Sequence, residues 1–361
     1  MRIVVHRGFG EVPIDTWDAL VARCPDSTIF QTYGWHHAWL RTVGKDLADV
    51  RIFAAYRGSE LIGLAPLWHG THPNADAKRP TTYFLGLWHS DYLTFPVAPE
   101  EPDAVPALLD ALDAHLPAHT PIEFSEVSQR TRLAQCLAQR ALRRFSDVFV
   151  ESRTACPRLT IRGNEDVVLR MLRKESLRRH EKKLRQLGHV TVEHLTQASD
   201  IEPLLDVFFE QHVKRWSGMP FPSLFRLDYN RNFYRELTRN LAPRGGVIFS
   251  VLRLNGRPVA HHLGLCSRDD FLWYKPSFDT ALAECSPGEV LLKNLISHAQ
   301  EKGFASLDFT RGAEAFKSRF SSQVDYNQSV LWVRGSFNRM VTRLERSLRS
   351  AARRVRAASS S

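Results

Sequence analysis

The sequence predicts an α/β fold that is built twice along the chain. Three observations support this: two segments read as strand–turn–strand hairpins, each hairpin is followed further on by an amphipathic helix, and each helix is followed by a short strand. The same order of elements in both halves favours duplication over chance. A length of 361 residues also suits two domains better than one.

The hairpins are VRIFAAYRGSELIGLAPLWHG, from Val50, and VIFSVLRLNGRPVAHHLGLCS, from Val247. The second turns at Asn255-Gly256, a strong hairpin signal because both residues tolerate positive φ. An aromatic-rich helical stretch precedes each hairpin, namely TYGWHHAWLRTV, from Thr32, and the stretch that ends at Trp216. The elements that follow are DAVPALLDALDAHL and IEFSE in the first half, and GEVLLKNLISHAQ and SLDFT in the second.

The segment between the halves predicts a strand, one helix over 164–187 and a second strand, HVTVEHL. Apolar residues recur in the helix at helical spacing, and these are Leu169, Leu172, Leu184 and Leu187. The predicted organisation is an N-terminal domain over 1–155, a C-terminal domain with the catalytic cleft over 156–335, and a basic amphipathic helix with a disordered tail over 336–361.

The net charge of +10 is concentrated in two segments. Residues 170–185 carry eight basic and two acidic residues, and residues 339–356 carry seven arginines and one glutamate. Such elements can contact anionic lipid, nucleic acid or an anionic substrate, and they can equally be solvated helix faces.

Several classes of protein are disfavoured. Five widely spaced cysteines without a CxxC pair indicate reduced thiols and no structural zinc, and the sequence lacks HExxH, GxGxxG, GxxxxGK[ST] and GxSxG motifs. No secretory signal or membrane-spanning stretch is apparent. We therefore expect a cytoplasmic protein with no metal and no permanently bound cofactor.

The segment DFTRGAEAFKSRF, from Asp308 to Phe320, is the main functional clue. Phe316 and Phe320 would anchor a short helix and hold Lys317 in a fixed direction, where its ammonium could stabilise the oxyanion of acyl transfer to an amine. Asp308 and Glu314 are candidate general bases, and either could instead be a salt-bridge partner.

A second candidate element is the helix start Ser286-Pro287-Gly288, which resembles a capped N-terminus able to hold a donor phosphate. An ordinary capped helix is the alternative. The sequence also predicts five residues that line a substrate cleft, and these are Tyr274, Phe278, Asp279, His262 and Trp216.

Taken in order, FQTYGWHHAWLRTVG, RGSELIGLAPLW, LRKESLRRHEKKLRQLG, LNGRPVAHHLGL, SPGEVLLKNLI and DFTRGAEAFK resemble the CelD-like branch of the GNAT acyltransferase superfamily, from about residue 29 to 333. The stretch GAEAFKSRF also resembles the Phe-Lys motif of the FemAB aminoacyl ligases. The resemblance implies two tandem GNAT-like domains, each a mixed, mainly antiparallel twisted sheet flanked by helices. It also implies that Lys317 stabilises the transferred acyl group.

The resemblance has one departure. Ordinary GNAT enzymes hold the coenzyme A pyrophosphate with an Arg/Gln-x-x-Gly-x-Gly/Ala loop, whereas Glu284 to Glu289 here contain one glycine and no arginine. The donor can therefore be acyl-CoA held differently, an acyl carrier protein, or an aminoacyl-tRNA. A single helix over 164–187 is shorter than the helical hairpin that FemAB proteins can place against tRNA, which disfavours the last.

The expected function is transfer of an acyl group from acyl-CoA or a carrier to an amine of a bacterial cell-envelope precursor, such as an amino sugar, a lipid base or a peptide. The C-terminal basic helix would contact the anionic inner membrane. Two alternatives remain open at this point: a FemAB-type aminoacyl-tRNA-dependent ligase, and a non-catalytic protein that binds nucleic acid or lipid.

Overall fold

A computed structural model describes residues 1–47, 49–71, 80–117, 120–142, 147–219, 221–334 and Met340. The helix and tail predicted over 336–361 lie, apart from Met340, outside the described residues.

Strands and helices alternate along the chain. The strands are β1 (Arg2–His6), β2 (Asp49–Arg57), β3 (Glu60–Gly70), β4 (Thr81–Phe84), β5 (Ile122–Ser128), β6 (Val148–Thr160), β7 (Val190–Leu195), β8 (Val247–Leu254), β9 (Arg257–Ser267), β10 (Asp270–Phe278), β11 (Ser306–Asp308) and β12 (Gln323–Trp332). The α-helices are α1 (Ile14–Arg23), α2 (Tyr33–Thr42), α3 (Ala104–His115), α4 (Arg132–Ala141), α5 (Glu165–Leu172), α6 (Glu175–Gln186), α7 (Ala198–Arg215), α8 (Asp228–Leu241), α9 (Pro287–Glu301) and α10 (Ala315–Phe320).

The chain divides into two compact units. The first contains residues 1–27, 47–153 and the described residues from 327 on, and the second contains residues 28–46 and 154–326. The predicted domain limits, after residues 155 and 335, stay predictions.

The two units share one sheet topology. The strand order is β1-β2-β3-β4-β5-β12 in the first unit and β7-β8-β9-β10-β11-β6 in the second. Within each unit the described pairings are antiparallel, except β4 with β5 and β10 with β11, which are parallel. The predicted class, α/β with a mixed and mainly antiparallel twisted sheet flanked by helices in each half, is confirmed.

The aromatic helix predicted from Thr32 forms as α2, which belongs to the second unit although it precedes the first hairpin in sequence. Within the second unit, α2 packs on α8. A Cβ at Gly34 would lie 3.1 Å from a methyl group of Leu241, and the rings of Trp35 and Phe233 are 5.3 Å apart. In the first unit it is α1 that packs on β3.

The single helix predicted over 164–187 is wrong, because the chain forms two helices separated by an extended Lys174 (φ −52°, ψ 133°). The buried residues are Val168 and Met171 in α5, and Leu177 and Leu184 in α6. Met171 and Leu177 are six residues apart and would face different sides of one continuous helix. The break lets both reach the same core, and it leaves Leu169 and Leu187 exposed.

The sheet of the second unit is covered on both faces. His261 Nδ1 of β9 donates a hydrogen bond to Gln211 Oε1 of α7 (2.8 Å), while His262 stacks on Trp273 in the cluster that also contains Leu291 of α9. Neighbouring strand residues face opposite sides, so α7 and α9 lie on opposite faces.

Candidate active site

The strands β10 and β11 diverge after a short parallel pairing. They pair only from Asp270 to Leu272, opposite Ser306 to Asp308, and β10 then continues to Phe278 without a described partner strand on that side. A crevice at the carboxyl ends of parallel strands is a common ligand site. The edge of β10 can also hydrogen-bond an extended ligand as an added strand would.

A tight turn at the end of β11 fixes Asp308. This residue is 2% exposed, its Oδ1 accepts from the Thr310 N–H (2.7 Å), and its Oδ2 accepts from Arg158 Nη2 (2.9 Å). Thr310 has φ 55°, which is rare for a β-branched residue, and its hydroxyl donates to the carbonyl of Trp273 (3.3 Å). The turn is therefore fastened to β10 at the point where the strands separate.

Lys317 lies six residues beyond Arg311, on α10, and is 3% exposed. Its Nζ donates to the Arg311 carbonyl (2.7 Å) and pairs with Glu314 (2.9 Å). Phe320 is fully buried and Phe316 packs against the same core, as the spacing predicts. An ammonium has three N–H groups, so a third one remains for a reacting oxygen.

Gly312 is required beside this lysine and was not singled out by the sequence. It has φ 117°, and a Cβ there would collide with the Glu314 carboxylate and lie 3.1 Å from Lys317 Nζ. The sequence around Gly312, between Arg311 and Ala313, could not indicate this requirement, since it does not show where the Lys317 side chain points.

Arg215, at the end of α7, is a further residue that the sequence did not indicate. Its Nη1 donates to the Pro276 carbonyl (3.0 Å), and its guanidinium lies over the Phe278 ring at 4.5 Å. Burial lowers the pKa of Arg215, and the charge of Glu314 acts in the opposite direction. Arg215 thus lies at the edge of β10, where its charge acts on that of Glu314.

Phe278 contacts Arg215 on one side, and Gly288, at the start of α9, also lies next to its ring. A Cβ at Gly288 would lie 3.2 Å from the Phe278 ring, so a side chain here would press on that ring. Ser286 is the N-cap residue, as predicted, but its φ is 47° and its side chain makes no capping hydrogen bond; its carbonyl instead accepts from the N–H groups of Glu289 and Val290. Pro287 is buried.

Glu289 does not present an unpaired charge to a donor phosphate at this helix start. Its carboxylate is 2.8 Å from Arg319 Nη1 and 3.2 Å from His180 Nδ1. Pro287 has no N–H, and the N–H groups of Glu289 and Val290 donate to the Ser286 carbonyl, so the first turn offers a ligand the Gly288 amide, with Arg319 and His180 beside Glu289. Phosphate binding at this helix start stays a prediction.

His262 and Tyr274 support β10 from within the core. His262 is fully buried, its Nε2 accepts from the Tyr274 N–H (3.2 Å), and its ring stacks on Trp273. Burial lowers the pKa of His262 to about 3. Tyr274 is 4% exposed, with its hydroxyl 3.1 Å from that of Tyr234.

Asp279 and Trp216 have described contacts away from Lys317. Asp279 accepts from the Ala281 N–H (3.0 Å) and pairs with Arg257 (2.8 Å). Burial alone would raise the pKa of Asp279, but these two partners lower it. Trp216 is half-buried and stacks on His212 at 5.7 Å. Their roles in substrate binding stay predictions.

Among the described residues, no group of three or more histidine, cysteine or acidic side chains is arranged to hold a metal ion. The described helices include none that combines the length and the apolar character needed to cross a bilayer.

Comparison with known protein families identifies a domain in the second unit. A family model described as an acetyltransferase (GNAT) domain matches residues 172–318, which include β10, α9 and Lys317. No curated protein matches the sequence.

Several solved structures share the fold at low identity. FemX superposes with a TM-score of 0.65 and 15% identity, over 95% of this chain and 99% of its own. A conserved protein of unknown function from Bacteroides thetaiotaomicron gives 0.56 and 12%, over 92% and 100%. The C-terminal domain of a putative lysylphosphatidylglycerol synthetase from Agrobacterium fabrum gives 0.52 and 14%, over 85% and 94%.

These likenesses extend over most of each chain and show that the fold is shared with FemX. Within this fold, residues 172–318 match an acetyltransferase (GNAT) domain, as the predicted resemblance implies for the second half of the chain.

Proposed function

We propose that this protein moves an acyl group from a thioester donor, either acyl-CoA or an acyl carrier protein, to an amine of a cell-envelope precursor. The acceptor class comprises amino sugars, lipid bases and peptide side chains. One observation carries the proposal: the buried Lys317 ammonium is fixed by Arg311 and Glu314 beside the point where β10 and β11 separate.

In the proposed reaction the acceptor amine attacks the thioester carbonyl, and the carbonyl oxygen becomes an oxyanion. The remaining N–H of Lys317 donates to that oxygen, a contribution of about 3 kcal/mol for one fixed donor. The attack forms the C–N bond, and collapse of the intermediate re-forms the carbonyl and breaks the C–S bond. The amine proton passes to a carboxylate, and the thiolate leaves and takes up a proton.

Glu314 is the better placed of the two candidate bases. Its side chain is 56% exposed next to Lys317, so an incoming ammonium can reach it. Both oxygens of Asp308 already accept hydrogen bonds, from Thr310 and Arg158, and its side chain is only 2% exposed. We therefore assign proton transfer to Glu314 and a structural role to Asp308.

The donor would bind along β10. An extended pantetheine arm can lie along the part of β10 that has no described partner strand, from Trp273 to Phe278, with its phosphate near Gly288, Arg319 and His180 at the start of α9. The arginines of residues 339–356 would add peripheral contact with an anionic membrane. The reaction would take place in the cytoplasm, at the inner face of that membrane.

A second candidate is aminoacyl transfer from charged tRNA, which the similarity to FemX over nearly the whole chain favours. The two donors are separated by supplying each in labelled form to the purified protein. If ribonuclease abolishes the transfer, the donor is charged tRNA and not a thioester.

The acceptor is tested by untargeted mass spectrometry of envelope lipids and glycans. Cells that produce the wild-type protein should contain a compound heavier by one acyl group, and cells with Lys317→Met should lack it at equal protein level. An unchanged set of compounds in both strains would contradict the proposed reaction.

A further inference from the structure

The helix α6 presents four neighbouring cations that the proposed mechanism does not use. We call Arg178, Arg179, Lys182 and Lys183 the α6 stripe. All four are exposed and have no ion pair in the part of the chain that the structure describes. The apolar residues of the same helix, Leu177 and Leu184, are buried in the core. The exposed face of α6 is therefore almost purely cationic.

Part of the stripe borders an open groove of about 490 Å³ between α6 and α9. The groove is lined by Arg178, Glu181, Lys182, Arg185, Gln186 and Lys293. Its one carboxylate is already engaged, since Glu181 lies 2.6 Å from Lys293 Nζ and 2.9 Å from Arg185 Nη2. The remaining cations of the groove, Arg178 and Lys182, are available to an anionic partner.

The stripe lies next to the proposed donor site. His180, in the middle of α6, pairs with Glu289 in the first turn of α9. The helix also contacts the 3₁₀ turn Thr280–Cys285, which follows β10. A ligand anchored on α6 is thus beside the entrance to the crevice where acyl transfer is proposed.

We propose that the α6 stripe docks an acidic acyl carrier protein, so that the acyl donor arrives on the carrier's phosphopantetheine arm. This inference rests on the proposed function and assigns its donor class. The stripe repeats after one helical turn, at Arg178 and Lys182 and again at Arg179 and Lys183. Acidic side chains one turn apart on a partner helix match that repeat.

Other anions fit the stripe less well. One phosphate or diphosphate needs only the cations at the start of α9, and cannot use a charged surface that continues along α6. A membrane-inserted helix needs an apolar face toward lipid, and that face of α6 is already buried. A nucleic acid is usually bound by more phosphate contacts over a larger surface than four cations offer.

The transfer itself leaves the carrier intact. The C–S bond of the carrier thioester breaks, the C–N bond to the acceptor forms, and the free thiol stays on the carrier arm. The carrier then dissociates, and dissociation is aided by the salt sensitivity of a charge-dominated interface.

The test measures binding, so it needs no knowledge of the acceptor. The dissociation constant of an acylated carrier protein is measured by calorimetry for the wild type and for the double variant Arg178→Glu/Lys182→Glu. We expect the double variant to bind at least tenfold more weakly, and the wild-type affinity to fall as salt rises. Binding of acyl-pantetheine, which carries the arm without the protein, should be unchanged.

The matched control is Lys302→Glu, an equally exposed lysine just beyond the far end of α9. It should leave carrier binding within twofold. Wild-type protein that binds acyl-pantetheine but no carrier overturns the docking surface and leaves the proposed function standing. Failure to bind acyl-pantetheine as well would count against the proposed function itself. If tRNA or anionic vesicles bind the wild type in place of the carrier, and the double variant no longer binds them, the stripe is assigned to those partners instead.

Discussion

Each unit contains one described parallel strand pair, β4 with β5 or β10 with β11. The units differ in how far the first strand of that pair continues past the pairing. In the first unit, β4 ends at Phe84, one residue after its last described pairing with β5 at Tyr83. In the second unit, β10 continues six residues past its last pairing with β11, from Trp273 to Phe278. Among the described residues, a strand therefore extends well past its parallel partner in the second unit and not in the first.

The chain that leaves each parallel pair also differs. Both stretches contain a residue with φ 55°, namely Glu126 within β5, three residues past its last described pairing with β4, and Thr310 after β11. After Thr310 the chain reaches Lys317, whereas residues 122–142 of the first unit contain no lysine. The scaffold is duplicated, but the buried cation and the extended strand occur together in one copy. We infer that the second unit carries the reaction and the first does not.

Lowering the pH should produce the largest difference in stability between the two units. Burial lowers the pKa of five histidines in the second unit to about 3 or 4, from the ordinary 6.5, and these are His36, His194, His212, His261 and His262. Below pH 6.5 the unfolded state binds more protons than the folded state, so stability falls as the pH falls. We expect a loss on the order of 5 kcal/mol between pH 6.5 and 5.5.

Hydrogen exchange at the two pH values, corrected for intrinsic rates, measures this loss. Peptides from β9 and β10 should lose protection well before those from β2 and β3, whose unit contains His69, with a pKa lowered mainly by burial in a half-buried site. Equal loss in both hairpins would show that the buried histidines do not set the acid stability of the second unit.

Removal of the cation is the next largest change. Lys317→Met keeps an apolar stem but loses the oxyanion donor, so kcat should fall 10²- to 10³-fold, about 3–4 kcal/mol. The matched variant in the first unit is Arg132→Ala, at the start of the helix α4 that follows β5. It should retain activity. A Lys317→Met protein with near-normal kcat would remove the distinction between the units.

The two acidic residues sharpen the comparison further. Glu314→Gln should lower kcat about 10²-fold and abolish the acidic limb of its pH profile, because it removes the assigned base. Asp308→Asn should mainly lower the melting temperature, since Arg158 would lose its 2.9 Å carboxylate partner. If Asp308→Asn instead changes the pH profile while Glu314→Gln does not, the assignment of the base is reversed.

The smallest expected effect concerns Gly312. Gly312→Ala introduces a Cβ at φ 117° that collides with Glu314, so the Lys317 pair must shift and activity should fall about tenfold. Gly58→Ala, in the first hairpin at φ 60°, meets open space and carries only backbone strain of roughly 1 kcal/mol. Activity assays and melting temperatures of both variants separate local strain from displacement of the lysine.

Local signals were sufficient to predict much of the fold. The Asn255-Gly256 turn forms with positive φ at both residues, and the Phe316–Phe320 spacing correctly predicts a buried anchor for Lys317. These predictions succeed because the turn type and the helical face depend on residues close in sequence.

Long-range contacts account for what the sequence could not indicate. The break at Lys174 depends on which face of α5 and α6 meets α9, and the periodicity of leucines includes Leu169 and Leu187, which are exposed. Arg215 resembles any cation at a helix end until Pro276 and Phe278 are placed beside it. Neutralisation of Glu289 likewise needs Arg319 and His180, which lie far from it in sequence.

The most direct test of the central claim, that donor chemistry resides in the second unit alone, is photo-crosslinking with an acyl-pantetheine that carries a photoreactive group in the acyl chain. We expect labelled peptides from β10 through the start of α9, residues 273–288, and from 311–320, with no label on β4 or β5. Equal labelling of the two units, or labelling confined to the first, would contradict the account.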